Sequence, residues 1–171
     1  IPSQIKNKQN VFDSEASNLL VFFIDSLLNP KLYRNISLLA TSKFVEIDVK
    51  ELIDQKISKK LENLTIQCIN WSLELKEKGF LTIVNELLIN YKSSSINSDP
   101  DLYANLFQLS EIIEIELINN DFNLNKVFKW YQNQIDKSLR ICTGEDYLTK
   151  DYNLQNGINL STIHNSKGLE Y

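Results

Sequence analysis

Apolar residues recur at helical spacing along most of the chain, in runs separated by short polar breaks. Asp13 and Ser14 stand before the first run as candidate N-caps, and Asn29-Pro30 follows it. Pro30 is predicted to open the second helix. Further helices are predicted over residues 30–41, 48–57, 58–78, 80–91, 100–118 and 124–139, with a polar loop at 92–100. The pattern therefore predicts a mainly α-helical fold.

The helical region also allows more detailed predictions, about where one helix ends and which side chains face the core. Gly79 separates two long periodic runs and is predicted to be the residue that ends the first helix. In the helix over 100–118, the leucines and Ile113 are expected to face inward, whereas Glu111, Glu114 and Glu116 are expected to face solvent. The aromatic residues of these helices are interpreted as core, and not as base-stacking surfaces. They are Phe22, Phe23, Trp71, Trp130 and Tyr131.

The character of the sequence changes after Arg140. Residues 141–157 lose the helical period and contain Gly144 and Gly157. Residues 158–164 alternate apolar and polar side chains and are rich in β-branched residues, which predicts a short strand followed by a sharp turn. We therefore expect a helical domain over 13–140, a linker over 141–157, and a strand of a second domain over 158–171.

Composition narrows the class of protein. The 171 residues are 43% hydrophobic and 23% charged, which is typical of a globular domain and excludes disorder. No run is long and apolar enough to predict a membrane span, and no secretory signal is present. Cys68 and Cys142 match no metal-binding spacing and are interpreted as reduced thiols, which favours the cytoplasm. The chain starts at Ile1, lacks methionine and stops at Tyr171, so we expect it to be part of a longer polypeptide.

The charge balance restricts how the chain could bind nucleic acid. The net charge is −4 and the isoelectric point about 5.1, whereas a domain that grips nucleic acid alone usually carries a basic excess. Any contact with DNA is therefore expected to be local or shared with other parts of a longer chain. Binding by this chain alone should be weak and lost at physiological salt.

Residues 161–171, STIHNSKGLEY, are the segment most suggestive of chemistry. Thr162 and His164 fall near the carboxyl end of the predicted strand, where open α/β sheets bind ligands, and both can donate hydrogen bonds to phosphate oxygens. His164 is the one histidine in the sequence and lacks partners for a metal site. Lys167 supplies a positive charge, Gly168 permits close backbone approach, and Glu170 could accept a hydrogen bond from a sugar hydroxyl.

The same residues carry a resemblance to a known family. TIHNSKGLEY resembles motif V of superfamily I DNA helicases of the UvrD/Rep/PcrA and RecB/AddA group, and its SKGLEY ending is closest to the RecB form. Residues 10–44, which include the tripeptide ATS, are similar to the RecB segment that enters the 2B accessory domain. VFKWYQNQI, residues 127–135, resembles the late 2B helix that precedes motif V.

The resemblance implies a multidomain motor with two RecA-like lobes, 1A and 2A, helical insertions 1B and 2B, and a nuclease domain. Such a parent uses ATP and Mg²⁺, acts as exodeoxyribonuclease V with RecC-like and RecD-like subunits, and unwinds and degrades duplex DNA ends for recombinational repair. Residues 1–12 would lead in from lobe 2A, 13–140 would be the 2B-type domain, and 158–171 would return to lobe 2A.

Motif V also implies roles for individual residues. Thr162 and His164 fall on positions that touch the single strand. Lys167, Gly168 and Glu170 fall near the nucleotide, and Glu170 takes the position that contacts the ATP ribose. No residue of this chain is assigned a catalytic or metal-binding role.

The sequence departs from the family at several points. UvrD-like relatives carry T-x-x-x-G-I-G in the early 2B region for contacts to duplex phosphates, whereas residues 40–52 here contain no glycine. The chain also lacks a G-x-x-x-x-G-K-[ST] phosphate loop and the nuclease cluster of carboxylates and lysine, so it is expected to be inactive alone. The alternative is a self-standing helical interaction module in which SKGLEY is coincidental. The strand predicted near Tyr171 favours the first hypothesis, because an isolated helical module has no use for an unpaired strand.

Overall fold

The structure, a computed structural model, describes residues 10–53, 58–138 and 147–149. Helices dominate these segments, as predicted. They are α1 (Glu15–Leu28), α2 (Tyr33–Thr41), α3 (Ser58–Lys78), α4 (Phe80–Tyr91), α5 (Ser94–Asn97), α6 (Pro100–Asn119) and α7 (Leu124–Ser138). Short 3-10 turns lie at Val11–Asp13 and Glu51–Ile53. The predicted strand over 158–164 lies outside the described residues.

Side-chain caps explain where α1 and α6 begin. The Ser14 hydroxyl accepts the Ser17 N–H at 3.3 Å, and the Asp99 carboxylate accepts the Leu102 N–H at 3.0 Å, with Pro100 in the first turn of α6. The prediction for Pro30 is wrong, because α2 begins at Tyr33. The Leu32 N–H closes a turn onto the Asn29 carbonyl at 3.1 Å, which places Pro30 in the connection.

The core forms around α1 and α6. Helix α6 packs against α1, α4, α5 and α7, and its five predicted core residues are all buried. On α1, the Phe23 ring packs edge-on against Trp71, with 5.8 Å between centroids, and lies 6.0 Å from Phe80. Phe23, Trp71 and Tyr131 are buried and Trp130 packs against the core, so the predicted core role of these four is confirmed, whereas Phe22 is only partly buried.

Polar bonds between side chains fix the pairing of α3 with α4. The Trp71 indole N–H donates to Glu86 at 2.9 Å, and the Lys78 ammonium donates to the other oxygen of Glu86 at 2.8 Å. Farther along the pair, the Tyr91 hydroxyl donates to the Gln67 side chain at 2.6 Å. These bonds span both ends of the hairpin and therefore hold α3 and α4 in one register.

Gly79 joins these two helices in a conformation that only glycine adopts readily. Its φ of 81° and ψ of 156° lie outside the left-handed helical region expected for a residue that ends a helix, and it serves as the N-cap of α4. Glycine has no side chain to cap α4, and Glu114 of α6 supplies the cap. The Glu114 Oε2 atom accepts the Leu81 N–H at 2.7 Å, so the prediction that Glu114 faces solvent is wrong.

The predicted polar loop at 92–100 contains a short helix. Ser93 caps α5 by accepting the Ile96 N–H at 3.2 Å, and Ile96 is fully buried. One apolar side chain in a run of serines was too weak a signal to predict this turn of helix. None of the helices in the described segments is long and apolar enough to cross a membrane.

Candidate functional site

The two connections between the helical body and the rest of the chain meet at one place. Asn10, which precedes the helices, pairs with Leu148, which follows them, in a single antiparallel β-bridge. The Gln108 side-chain amide of α6 donates to the Leu148 carbonyl at 3.2 Å. We call residues 10–12 and 147–149 the junction. The segments that lead into and out of the helical body therefore lie side by side at the junction.

Aromatic side chains pack the junction against the helices. Phe12 is buried, and its ring lies 5.4 Å from Tyr147, 6.1 Å from Trp130 and 5.5 Å from Tyr131, measured between centroids. The contacts with Trp130 and Tyr131 are edge-on, a favourable arrangement for aromatic pairs. The incoming segment, the outgoing segment and α7 therefore share one aromatic cluster.

Hydrogen bonds fix the direction in which the chain enters α1. The Asn10 side chain accepts the Phe12 N–H at 3.0 Å, and the Ser14 hydroxyl donates to the Val11 carbonyl at 2.6 Å. The Tyr131 hydroxyl of α7 donates to the Ser17 hydroxyl at 2.9 Å. Burial raises the pKa of Tyr131 well above its ordinary value, so this phenol stays protonated and acts as a fixed donor.

Residues 40–52, for which the resemblance predicts no glycine-containing turn, include the exposed carboxylate of Glu46. Here the carboxylate of Glu46 accepts the N–H of Ser95 at 2.9 Å, together with the N–H and hydroxyl of Ser94 at 3.3 and 2.8 Å. These bonds, chiefly those from Ser95, lower the pKa of Glu46 to about 2. Glu46 has a positive φ of 59°. The loop thus carries an ionised carboxylate bonded to its own chain, an arrangement unsuited to binding phosphate.

The residues predicted from motif V lie outside the described residues. They are Thr162, His164, Lys167, Gly168 and Glu170. The structure brings together a set that sequence analysis missed, namely the junction and Gln108. A signal was present, since Gln108 and Asn105 are polar residues on the buried face of α6.

The described residues include no grouping of three or more histidine, cysteine or acidic residues able to hold a metal ion. Cys68 is buried, and desolvation raises its pKa to about 12. Its thiol is therefore not a nucleophile at neutral pH. Cys142 lies outside the described residues.

No protein-family model matches the chain. The chain is similar to a RecBCD enzyme subunit RecB from Buchnera aphidicola subsp. Baizongia pistaciae (strain Bp), with 25% identity over 182 aligned positions. The similarity covers 98% of this chain but 14% of the relative. The chain therefore spans about one seventh of the curated relative that it matches, and this similarity supports a RecB-like relationship.

Proposed function

We propose that this chain is the 2B-type accessory domain of a RecB-like, ATP-dependent DNA helicase and exonuclease that acts in double-strand-break repair. The observation that carries the proposal is the junction, where Asn10 and Leu148 pair. A domain inserted into a lobe needs its incoming and outgoing segments close together, and the junction meets this requirement. The similarity to one seventh of a RecB subunit supports the RecB-like part of the proposal.

The proposal assigns motif V to the returning edge of lobe 2A. Thr162 and His164 would bind the phosphates of the single strand, and Glu170 would accept a hydrogen bond from the ATP ribose. Lys167 and Gly168 would lie in the turn near the nucleotide. ATP and Mg²⁺ would be held elsewhere in the parent, since this sequence has no phosphate loop.

The proposal also assigns partners and location. The similar protein is named as a subunit of a RecBCD enzyme. We infer from it that the parent acts in the cytoplasm on DNA ends, together with RecC-like and RecD-like subunits. The helical body contributes contacts to DNA or to those subunits, and no catalytic group.

The native polypeptide that contains this chain provides the test. An antibody raised against the chain would isolate that polypeptide from its source cells for measurement of intact mass and of ATP hydrolysis with and without DNA. We expect a mass above roughly 100 kDa, which corresponds to several domains, and ATP hydrolysis stimulated by DNA. A product near 20 kDa without ATP hydrolysis would refute the proposal and favour the helical interaction module.

Substitutions in the same polypeptide would test the roles proposed for motif V. His164→Ala should weaken the stimulation of ATP hydrolysis by single-stranded DNA while leaving the KM for ATP unchanged. Glu170→Gln should raise the KM for ATP and leave the DNA concentration at half-stimulation unchanged. If either substitution produced the other's effect, the assignment of these two residues would be wrong.

A further inference from the structure

The connection between α1 and α2 is the centre of a stretch without acidic residues. From Ser26 to Val45 the sequence contains Lys31, Arg34 and Lys43 and no aspartate or glutamate, although the chain as a whole carries a net charge of −4. Lys43 pairs with Glu15 at 2.6 Å. The ion pairs found in the described part of the chain include neither Lys31 nor Arg34. Lys31 and Arg34 are therefore exposed cations outside the ion pairs found in the described segments.

Apolar and aromatic side chains are exposed at the same place. Leu32 is 56% exposed and Tyr33 is 66% exposed, which makes Tyr33 the most exposed aromatic residue in the described segments. The ring pairs found within those segments do not include Tyr33, so its faces are open to a ligand. We call residues 31–34 the tip.

The tip is small enough for its side chains to act on one ligand. Four consecutive residues span at most about 11 Å between their first and last Cα atoms. Leu38 of α2 is one helical turn beyond Arg34 and is also exposed, so it extends the apolar part of this surface. The tip thus contains an exposed aromatic ring with an exposed cation on either side of it in sequence, together with exposed aliphatic residues.

We propose that the tip is a contact site for a single strand of nucleic acid, with Tyr33 stacking on a base and with Lys31 and Arg34 binding the flanking phosphates. An exposed ring between cations matches a single strand, whose bases are free to stack on aromatic side chains. A duplex offers phosphates but no free base face. This inference rests on the proposed function, since it names the DNA surface of the accessory domain, and it explains how an acidic chain could bind DNA locally.

Fluorescence anisotropy with the 171-residue chain and a short fluorescein-labelled oligo-dT would test the site at a salt concentration on the order of 20 mM. Tyr33→Ala should weaken binding about fivefold or more, while Tyr33→Phe should bind within about twofold of the wild type because the ring is kept. The double variant Lys31→Glu/Arg34→Glu should weaken binding about tenfold or more. It should also make the slope of log K for binding against log salt concentration less steep by about 1.4, the value for two phosphates of a single strand.

Matched controls separate a local site from general charge effects. Lys126→Glu/Lys137→Glu on α7 changes the net charge by the same amount at two exposed lysines away from the tip, and it should change the affinity by about twofold at most. Tyr103→Ala removes another exposed tyrosine, which packs against Phe107, and should leave the affinity unchanged. Circular dichroism would confirm that every variant keeps its helices.

The possible outcomes distinguish this inference from the proposed function. If the tip and α7 double variants weakened oligo-dT binding equally, net charge alone would govern binding, and the tip would not be a specific site. Unchanged affinity in Tyr33→Ala, or binding of an acidic peptide in place of oligo-dT, would also overturn it. If the wild-type chain did not bind oligo-dT, the inference would be wrong. The proposed function would not be affected, because it is tested by the mass and the DNA-stimulated ATP hydrolysis of the native polypeptide.

Discussion

Replacing Gly79 with alanine would disturb two features of the α3–α4 connection at once. The first is the backbone, whose φ of 81° and ψ of 156° fall in a region that is essentially restricted to glycine. The second is the cap supplied by α6, since a Cβ at position 79 would clash with the Glu114 Oε1 atom. Glu114 would have to move, and its bond to the Leu81 N–H would be lost.

The two effects have separate magnitudes. Forcing a residue with a side chain into this backbone region costs about 1–3 kcal/mol. Losing the carboxylate cap at the start of α4 costs about 1 kcal/mol more, as measured for helix caps in general. Gly79→Ala should therefore lower the free energy of unfolding by about 2–4 kcal/mol, out of a typical total of about 5–15 kcal/mol. The melting temperature should fall by roughly 5–15 °C for a chain of this size.

Urea denaturation followed by tryptophan fluorescence and by circular dichroism would measure the change, and a double-mutant cycle would separate the two effects. Glu114→Ala removes the cap without changing the backbone at Gly79, and should cost about 1 kcal/mol. In that background, Gly79→Ala meets no carboxylate and loses no cap, so it should cost only the backbone strain. The two substitutions should therefore be non-additive by about 1 kcal/mol.

Two results would refute this reasoning. If Gly79→Ala changed the free energy of unfolding by less than about 0.5 kcal/mol, the backbone at position 79 would not be strained for alanine. If the two substitutions were additive within about 0.3 kcal/mol, Glu114 would not be the group that a new Cβ displaces.

Three further substitutions have defined expectations. The pKa of Glu46 is lowered to about 2, so its carboxylate stabilises the fold above about pH 4.5 and loses that effect as the pH falls toward 2. Glu46→Gln should therefore lower the melting temperature at pH 7 but not near pH 2, and an equal decrease at both values would contradict this. Asp121 has a φ of 52°, and its N–H closes the last turn of α6. Glycine adopts a positive φ without steric strain, so Asp121→Gly should stabilise the protein by about 0.5–1 kcal/mol. A lower melting temperature would show that the backbone of Asp121 is not strained. Tyr131→Phe removes the buried bond to Ser17 and should cost about 1 kcal/mol in urea denaturation, whereas an unchanged midpoint would show that the bond contributes no net stability.

The sequence predicts the helices well because their periodicity and caps are local properties. Ser14 and Asp99 start helices where a capping residue precedes an apolar run, and the inward residues of α6 follow from spacing alone. Errors occur where a distant element or a competing local turn decides the outcome. Glu114 has the spacing of a surface residue, but the uncapped start of α4 lies beside it and takes its carboxylate. Proline favours the first turn of a helix, which predicts that Pro30 opens α2, but a turn closed onto the Asn29 carbonyl delays the start of α2 to Tyr33.

The candidate site is harder to predict because its parts are far apart in sequence. Asn10 and Leu148 form one bridge, and no local pattern at either position indicates a partner more than one hundred residues away. Gln108 was the available clue, since a polar residue on a buried helix face needs a partner such as the Leu148 carbonyl. The motif V residues, by contrast, can be predicted because they are contiguous in sequence and resemble a known pattern. Their placement stays a prediction.

Helix α1 connects the two places where the chain would meet other molecules. Its first turn follows the junction, its last residue leads into the tip, and its 14 residues set these regions about 20 Å apart along the helix axis. Phe23, Ile24 and Leu27 are buried on α1, so the helix is held along its length by the core. If the proposed function and the tip site are correct, a force applied by a strand bound at Tyr33 would be transmitted along this buried helix to the junction, where Asn10 and Leu148 pair.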